Sequence, residues 1–239
     1  MKKEDFKVYR KVLDEITIFG LWKLSNKQYF DILESIVKEG KESVVFSAKD
    51  KEGNWLAIKI YRIFHCDFKS MWKYLIADPR FLSTKKDRKS VIFNWCKREF
   101  RNMKIAYEKA KIFSPKPIAF FNNILIMEFI GKDGKPALRL SEVDDLENPD
   151  KLYKTSIEQV KKLFENRLVH GDLSAFNILY HDKKPFFIDF SQGVRDNHPL
   201  FLDFLKRDLK NLNSFFKKFT DIIPLENLYE EIVGDKYDV

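Results

Sequence analysis

The chain has 239 residues, of which 44% are hydrophobic and 33% charged, and its formal net charge is +8. This length fits one large domain or two small lobes, and the basic balance favours a polyanionic partner such as nucleic acid or nucleotide phosphates. The two cysteines, Cys66 and Cys96, have no metal-binding spacing and are too few for a disulfide framework, so we expect a reducing, cytoplasmic setting. No apolar run reaches the roughly 18 residues of a membrane span, and the first residues lack the apolar core of a signal peptide, so we expect no membrane association.

The first part of the chain predicts a helical extension followed by a β-rich lobe. Apolar residues at helical spacing, among them Val8, Val12, Ile16 and Leu21, indicate a helix within residues 1–30. Runs rich in β-branched and aromatic residues, separated by turn residues, then predict an antiparallel meander. Its strands are expected at residues 32–38, 43–48 and 55–61.

Residues 65–90 show no clean period and include a dense charged run at 85–89. A long segment without regular structure inside a domain is usually functional or mobile. We therefore predict a flexible insert here that bears partner or autophosphorylation contacts. The candidate phosphorylation sites are Ser83, Thr84 and Ser90.

The remaining pattern predicts a helix over residues 91–111, strands around 118–121 and 124–129, and then a mainly helical lobe. The glycine-rich stretch 131–136 is the expected hinge, with its following loop, between the two lobes. Asn148-Pro149 introduces a helix that ends near Asn166, and the residues after Pro199 predict two more helices. The sequence thus predicts an α+β, bilobal fold with an extension at 1–30, a small lobe at 31–130 and a larger lobe at 131–239.

The strongest chemical signal is His170-Gly-Asp172, followed by Asn177 and then by Asp189. Phosphoryl transfer from ATP needs metal ions on the phosphates and a carboxylate that orients or deprotonates the acceptor. Mg²⁺ prefers oxygen ligands, usually one or two carboxylates together with phosphate oxygens. We predict that Asn177 and Asp189 are the metal ligands and that Asp172 is the base on the acceptor side. Each residue alone is ordinary in a turn, but the joint pattern is specific.

Lys59 lies among apolar residues on a predicted strand, where an unpaired ammonium group would be costly. We expect a carboxylate on a helix to pair with this ammonium group, and we predict that it belongs to Glu99. We predict that this pair holds the α- and β-phosphates of ATP. The competing interpretation of Glu99 is an ordinary solvated helix residue.

Two further segments are candidates for nucleotide contact. Met127, Glu128 and Ile130 lie at and just after a predicted strand, where backbone groups could bind adenine. A turn with a single glycine, containing Lys41 and Ser43, stands between the first two strands and is the candidate phosphate loop. That loop is a weak signal by itself, because strand turns of this composition are common.

Taken together, these motifs resemble the protein kinase superfamily and, within it, the RIO family of atypical protein kinases. The resemblance covers about residues 15 to 220 and is carried by Gly40-Lys-Glu-Ser43, Lys59, Glu99, Met127-Glu-Phe129, His170-Gly-Asp172 and Ile188-Asp-Phe-Ser-Gln192. Ordinary protein kinases have Arg, Lys and Gly where this chain has Gly171, Ser174 and Ser191. Only about 30 residues precede the first predicted strand, so the resemblance is to the type-1 members, which have no N-terminal winged helix.

The resemblance implies a bilobal kinase fold without an activation segment or peptide-binding subdomains. It implies ATP with Mg²⁺ or Mn²⁺ as cofactors, serine/threonine kinase and ATPase activity with autophosphorylation, and an Asp189 that can become an aspartyl-phosphate. It also implies a pre-ribosomal small subunit as partner in ribosome maturation, and we expect the chain to be a monomer.

Three alternatives remain open at this point. A small-molecule phosphotransferase, like the aminoglycoside or choline kinases, shares the loop motif but usually has a larger helical lobe. A tRNA-modification kinase of the Bud family has a shorter first lobe. A pseudokinase scaffold on the ribosome would not need intact Lys59, Asp172, Asn177 and Asp189.

Overall fold

The computed structural model describes residues 13–234, which form two compact units. The first unit runs to Arg101 and also contains Lys116–Pro136; the second comprises Asn102–Pro115 and the chain from Ala137. Helices and antiparallel strands are both present, so the α+β class is as predicted. Val8 and Val12, on which part of the predicted N-terminal helix rested, lie outside the described residues.

A five-stranded antiparallel sheet forms the first unit, with strand order β1-β2-β3-β5-β4. Its strands are β1 Ile32–Glu39, β2 Ser43–Lys49, β3 Trp55–Tyr61, β4 Pro117–Phe121 and β5 Ile124–Glu128. Lys59 lies in the central strand, in register with Val45 on β2 and Leu125 on β5. Because both edges of β3 are paired, the backbone that carries this lysine is held on two sides.

Helix α1, Glu15–Asn26, covers one face of this sheet. Asp14 caps its start by accepting a hydrogen bond from the Thr17 amide at 2.9 Å, as short polar side chains do at N-caps. Gly20 marks the close approach of α1 to the sheet: a Cβ there would lie 2.7 Å from Ile124 Cδ1 and 3.3 Å from Phe121 Cδ1. A larger residue would force the helix away from the strands.

The segment after β3 is more regular than we predicted. It contains helix α2, Phe68–Ile76, whose start is capped by Asp67, and a 3-10 turn at Pro79–Phe81. The prediction of a structureless 65–90 segment was wrong in this respect. Helix α2 spans only nine residues and buries only Met71 and Leu75. Two buried positions are too few for a helical period to be recognised in the sequence.

Helix α3, Arg88–Lys104, begins slightly earlier than predicted and continues as a π-helical turn at Ile105–Lys109. The stretch 131–136, predicted as a hinge and loop, forms a short hairpin of β6, Gly131–Lys132, and β7, Lys135–Pro136. Gly134 makes this turn at φ +75°, and a Cβ there would lie 2.6 Å from the Trp55 ring. Only glycine fits this close contact.

The second unit packs three helices against short strands. The helices are α4 Pro149–Glu165, α5 Phe201–Phe216 and α6 Leu225–Val233. A three-stranded sheet contains β8 Leu138–Arg139, β10 Ile178–His181 and β11 Lys184–Phe187, and a separate pair contains β9 Leu168–Val169 and β12 Val194–Arg195. No helix within residues 13–234 is both long and apolar enough to cross a membrane.

A buried glutamine on α4 fixes the chain around strand β11. Gln159 accepts a hydrogen bond from the Phe113 amide at 2.6 Å and donates to the Pro185 carbonyl at 2.9 Å. The Phe187 amide in turn donates to the Phe113 carbonyl at 2.9 Å. Because buried polar groups are costly unless satisfied, these bonds set the path of β11, the strand that leads into Asp189.

Candidate active site

Lys59 and Glu99 form a buried ion pair in the first unit. Lys59 Nζ donates to Glu99 Oε1 at 2.8 Å, and the Tyr61 hydroxyl donates to the other carboxylate oxygen of Glu99. Lys59 is 6% exposed and Glu99 only 1%. Removing one member of such a pair leaves an uncompensated buried charge, which typically costs about 3–5 kcal/mol. The pair therefore fixes the position of the lysine head group.

The turn between β1 and β2 is held by the chain that follows β3. The Gly40 amide donates to the Ser43 carbonyl at 2.9 Å, closing the turn, and Lys41 is exposed at its tip. The Glu42 carbonyl accepts from the Arg62 amide at 2.8 Å and from Cys66 Sγ at 3.1 Å. These hydrogen bonds hold the candidate phosphate loop against the chain that follows β3. Lys41 and the half-buried Ser43 are the side chains of this loop that can donate hydrogen bonds.

Met127 and Glu128 end strand β5, and Ile130 follows as a buried residue. Glu128 is bound to Lys116 twice: its amide donates to the Lys116 carbonyl at 2.9 Å, and its Oε2 accepts from the Lys116 amide at 3.0 Å. These bonds fix the backbone at the end of β5, where the sequence predicts adenine contacts.

Gly171 explains one departure from ordinary protein kinases. Its φ is +77°, in the left-handed region, and a Cβ there would lie 2.8 Å from the Gln192 carbonyl oxygen. Neither the backbone angle nor the space accepts a larger residue. The arginine that ordinary kinases have at this position cannot be accommodated here without moving the loop.

Gly171→Ala is accordingly expected to lower the free energy of unfolding by about 1–3 kcal/mol, from the backbone strain and the displaced carbonyl together. Chemical denaturation measures this change, and Gly53→Ala is the control. Gly53 also has a positive φ, +84°, but nothing lies within 4 Å of its would-be Cβ. Equal losses in the two variants would show that contact with Gln192 contributes nothing.

A residue to which the sequence assigned no role, Asp208 on α5, organises the loop at residues 170–177, which we call the candidate catalytic loop. Its two carboxylate oxygens accept hydrogen bonds from the Gly171 amide at 2.8 Å and the Leu173 amide at 2.9 Å, on either side of Asp172. The neighbouring Arg207 donates to the Gly171 carbonyl, and Asn211 Nδ2 donates to the Leu173 carbonyl at 2.9 Å. The available signal was an acidic residue on the apolar face of a strongly amphipathic helix.

Burial raises the pKa of Asp208 to about 7, although the two amide hydrogen bonds and Arg207 oppose this shift. The carboxyl is 1% exposed, so its charged form is disfavoured by lost hydration. The candidate catalytic loop is therefore anchored by a carboxyl group whose pKa is raised towards neutrality.

Asn177 orients Asp172 from within the loop. Its Nδ2 donates to the Asp172 carbonyl at 2.8 Å and to Asp172 Oδ2 at 3.2 Å. Because the amide nitrogen is used on Asp172, the Asn177 side-chain oxygen is directed away from it. The pKa of Asp172 is raised by burial and by the negative charge of Asp189, against the opposing effects of Arg207 and Asn177.

Asp189 follows β11 and adopts a left-handed conformation, φ 64°. Ser191 Oγ donates to Asp189 Oδ1 at 2.7 Å. The preceding residue, Ile188, ties Asp189 to the candidate catalytic loop: its amide donates to the Asn177 carbonyl at 3.0 Å, and His170 Nε2 donates to its carbonyl at 3.0 Å. The structure thus brings Asp172, Asn177 and Asp189 together in the second unit.

The donor set at Asp189 and Asn177 fits a magnesium ion. It comprises a carboxylate and an amide oxygen, which are hard oxygen ligands, and Mg²⁺ completes its shell with phosphate oxygens and water. Within residues 13–234 no group of three or more His, Cys, Asp and Glu side chains is arranged to hold a metal.

Comparison with known proteins identifies relatives along almost the whole chain. The RIO domain family matches residues 44–227. The RIO-type serine/threonine-protein kinase Rio1 of Methanocaldococcus jannaschii is 41% identical over 98% of this chain and 80% of its own length. Rio1 of Haloferax volcanii is 38% identical, again over 98% of this chain and 80% of its own length. Human RIO1 is 34% identical over 95% of this chain, which corresponds to 41% of the human protein.

Solved structures confirm the predicted bilobal kinase-like fold. The Rio2 kinase from Chaetomium thermophilum superposes with a TM-score of 0.71, at 23% identity, over 92% of this chain and 69% of its own. A Rio2 kinase-ADP/Mg²⁺-phosphoaspartate complex from the same organism gives a TM-score of 0.69 at 22% identity. The match covers 92% of this chain and 67% of the chain in that complex.

Proposed function

This chain belongs to the RIO family of serine/threonine-protein kinases, and on that premise we propose that it transfers the γ-phosphoryl group of ATP and also hydrolyses ATP. The observation that carries the proposal is the ordered loop in which Asn177 holds Asp172 and Ile188 links that loop to Asp189. Family membership sets aside the small-molecule and Bud-type kinases. A scaffold that binds nucleotide without turnover is left as the outcome that experiment must exclude.

Each residue set has a defined task in the proposed reaction. Lys59, fixed by Glu99, binds the α- and β-phosphates as a point charge. Asp172 accepts the proton of the attacking hydroxyl or orients it, and its raised pKa favours proton acceptance nearer to neutral pH. Asp189 and Asn177 would hold a magnesium ion, which would neutralise part of the phosphate charge. Met127, Glu128 and Ile130 bind adenine, while Lys41 and Ser43 contact phosphate.

We further propose that Asp189 is itself a phosphate acceptor. A carboxylate oxygen of Asp189 attacks the γ-phosphorus, the bond to the β-phosphate oxygen breaks, and ADP leaves. Water then hydrolyses the acyl phosphate, which returns the carboxylate and releases inorganic phosphate. The chain's +8 charge supports a ribonucleoprotein partner, for which we propose the pre-ribosomal small subunit in the cytoplasm.

The test is incubation of the pure chain with γ-labelled ATP and Mg²⁺ or Mn²⁺. We expect released phosphate and protein-bound label, part of which is removed by hydroxylamine, because hydroxylamine cleaves acyl phosphates but not phosphoserine. Asp189→Ala should abolish both phosphate release and the hydroxylamine-sensitive label. The control is Asp182→Asn, an exposed aspartate in the turn between β10 and β11.

Two results would contradict the proposal. Tight ATP binding without turnover in any metal would favour a scaffold. Label that resists hydroxylamine, with phosphate release intact, would remove the aspartyl-phosphate step and leave only transfer to hydroxyl groups.

A further inference from the structure

Arg98 is a fully buried guanidinium next to a residue of the proposed active site. It is 0% exposed and immediately precedes Glu99 on α3. Burial lowers its pKa to about 10, with the charge of Asp78 opposing the shift, so the side chain remains charged at neutral pH. A buried charge is retained only where neighbouring groups compensate it, so the surroundings of Arg98 restrict the position of α3.

Asp78 supplies a compensating charge from the segment between α2 and α3. It is 3% exposed, and its Oδ2 lies 3.4 Å from Arg98 Nε. Arg80 binds the same carboxylate through Nε at 2.9 Å and through Nη2 at 2.6 Å. Burial by itself raises the pKa of Asp78, but the Arg80 and Arg98 interactions outweigh it and the pKa is lowered. The carboxylate is therefore charged at neutral pH.

Aromatic rings complete the contact between this segment and α3. The Arg98 guanidinium carbon lies 5.7 Å from the centroid of Tyr74 on α2 and 5.2 Å from that of Trp95. The Tyr74 and Trp95 rings meet edge to face at 5.9 Å. One turn further along α3, Arg101 lies over Phe81 at 5.6 Å. Such contacts are short-ranged and directional, so together they fix the rotation of α3 about its axis.

We propose that Asp78 and Arg98 are positioning residues for the active site: by fixing the rotation of α3, they set the direction of Glu99 and, through it, of Lys59. Adjacent residues on a helix cannot reorient independently, so a turn of α3 that releases Arg98 also moves the Glu99 carboxylate away from Lys59. The inference rests on the proposed function, because it assigns the pair a role through the lysine that binds ATP phosphates.

The decisive variant is Asp78→Asn. Asparagine retains the side-chain oxygen that caps the Pro79–Phe81 turn through the Arg80 amide. It removes the negative charge and replaces the oxygen that faces Arg80 Nη2 and Arg98 Nε with an amide nitrogen, which cannot accept from them. We expect the Kd for ATP to rise about tenfold, within the range of couplings measured between residues of one network. Asp67→Asn is the matched control. Asp67 also accepts a hydrogen bond from a backbone amide, that of Ser70 at the start of α2, but it lies before α2 and not in the segment between α2 and α3. We expect its Kd to stay near that of the wild type.

A double-mutant cycle distinguishes positioning from general stability. Glu99→Gln should weaken ATP binding strongly in the wild type but about tenfold less in the Asp78→Asn background, because Glu99 is already displaced there. If Glu99→Gln raised the Kd for ATP by the same factor in both backgrounds, the two residues would act independently and the inference would be overturned. So would an Asp78→Asn protein with lowered thermal stability but wild-type Kd below its transition.

Should Asp78→Asn fail to fold, Asp78→Leu with Arg98→Met removes the two fully buried charges. The Arg80 guanidinium also loses its carboxylate, but its side chain is 22% exposed and can be hydrated, so this variant is expected to fold. Apolar side chains lack the directional contacts, and we expect the same loss of ATP affinity; wild-type affinity would refute the inference. Because Kd is the readout, wild-type binding without turnover would contradict only the proposed function. No effect of Glu99→Gln would overturn both.

Discussion

Replacing Asp172 with Asn is expected to lower kcat for ATP turnover by about 10²–10⁴-fold, the range typical of a lost general base. The Kd for ATP should change little, because Asp172 is proposed to act on the acceptor and not on the nucleotide. Asparagine has nearly the shape of aspartate, and its side-chain oxygen can still accept from Asn177 Nδ2, which reaches Asp172 Oδ2 at 3.2 Å. Steady-state kinetics together with equilibrium ATP binding separate the two quantities.

The pH profile supplies an independent check on Asp172. Burial and the charge of Asp189 raise its pKa above 3.8, so the wild-type kcat should rise with pH along a limb that begins above the ordinary aspartate range. Asp172→Asn should remove this limb from the residual activity. A variant whose rate and pH profile match those of the wild type would show that Asp172 takes no part in proton transfer. Asp203→Asn, exposed on α5, is the control.

Replacing Asp208 with Asn is expected to change how stability depends on pH. The pKa of Asp208 is raised to about 7 in the folded chain, whereas its ordinary value is 3.8. Below the ordinary value the carboxyl is protonated in both states; as pH rises towards 7, ionisation favours the unfolded state. The stability advantage of the wild type over Asp208→Asn should therefore fall by about 1.4 kcal/mol per pH unit between pH 4 and pH 7, and then level off.

Denaturant unfolding at pH 5, 6, 7 and 8 measures this difference directly. Asp203→Asn again serves as the control, since that carboxylate is exposed on α5. An advantage of the wild type that grows with pH would mean that the Gly171 and Leu173 amides stabilise the carboxylate more than burial destabilises it. The pKa of Asp208 would then be lowered.

Short-range patterns were sufficient for most of the sheet and for the long helices. Strand β3 was predicted at its observed bounds, because a run of apolar residues between turn residues is a local signal. Helix α4 begins at Pro149 as expected, since Asn148 accepts from the Lys151 amide in the manner of a cap. Helix α2 was missed because two buried residues give no recognisable period.

Local sequence patterns also predicted part of the grouping of the candidate site residues. Asp172, Asn177 and Asp189 lie within 18 residues of one another in the sequence, so one loop and one hairpin suffice to bring them together. The Lys59–Glu99 pair spans 40 residues and was predicted from the cost of an isolated buried ammonium group. Their tasks towards ATP remain proposals that the experiments above address.

By itself, the sequence determined the α+β class, the positions of the strands, and which residues have the chemistry for phosphoryl transfer, because each of these depends on local pattern and residue type. Only the tertiary structure decided which distant groups support them. Asp208 lies 36 residues beyond Asp172, and Asp78 lies 20 residues before Arg98. Their roles arise because burial raises the energy of a charge or an amide until a partner satisfies it, and packing alone determines which partner is within reach.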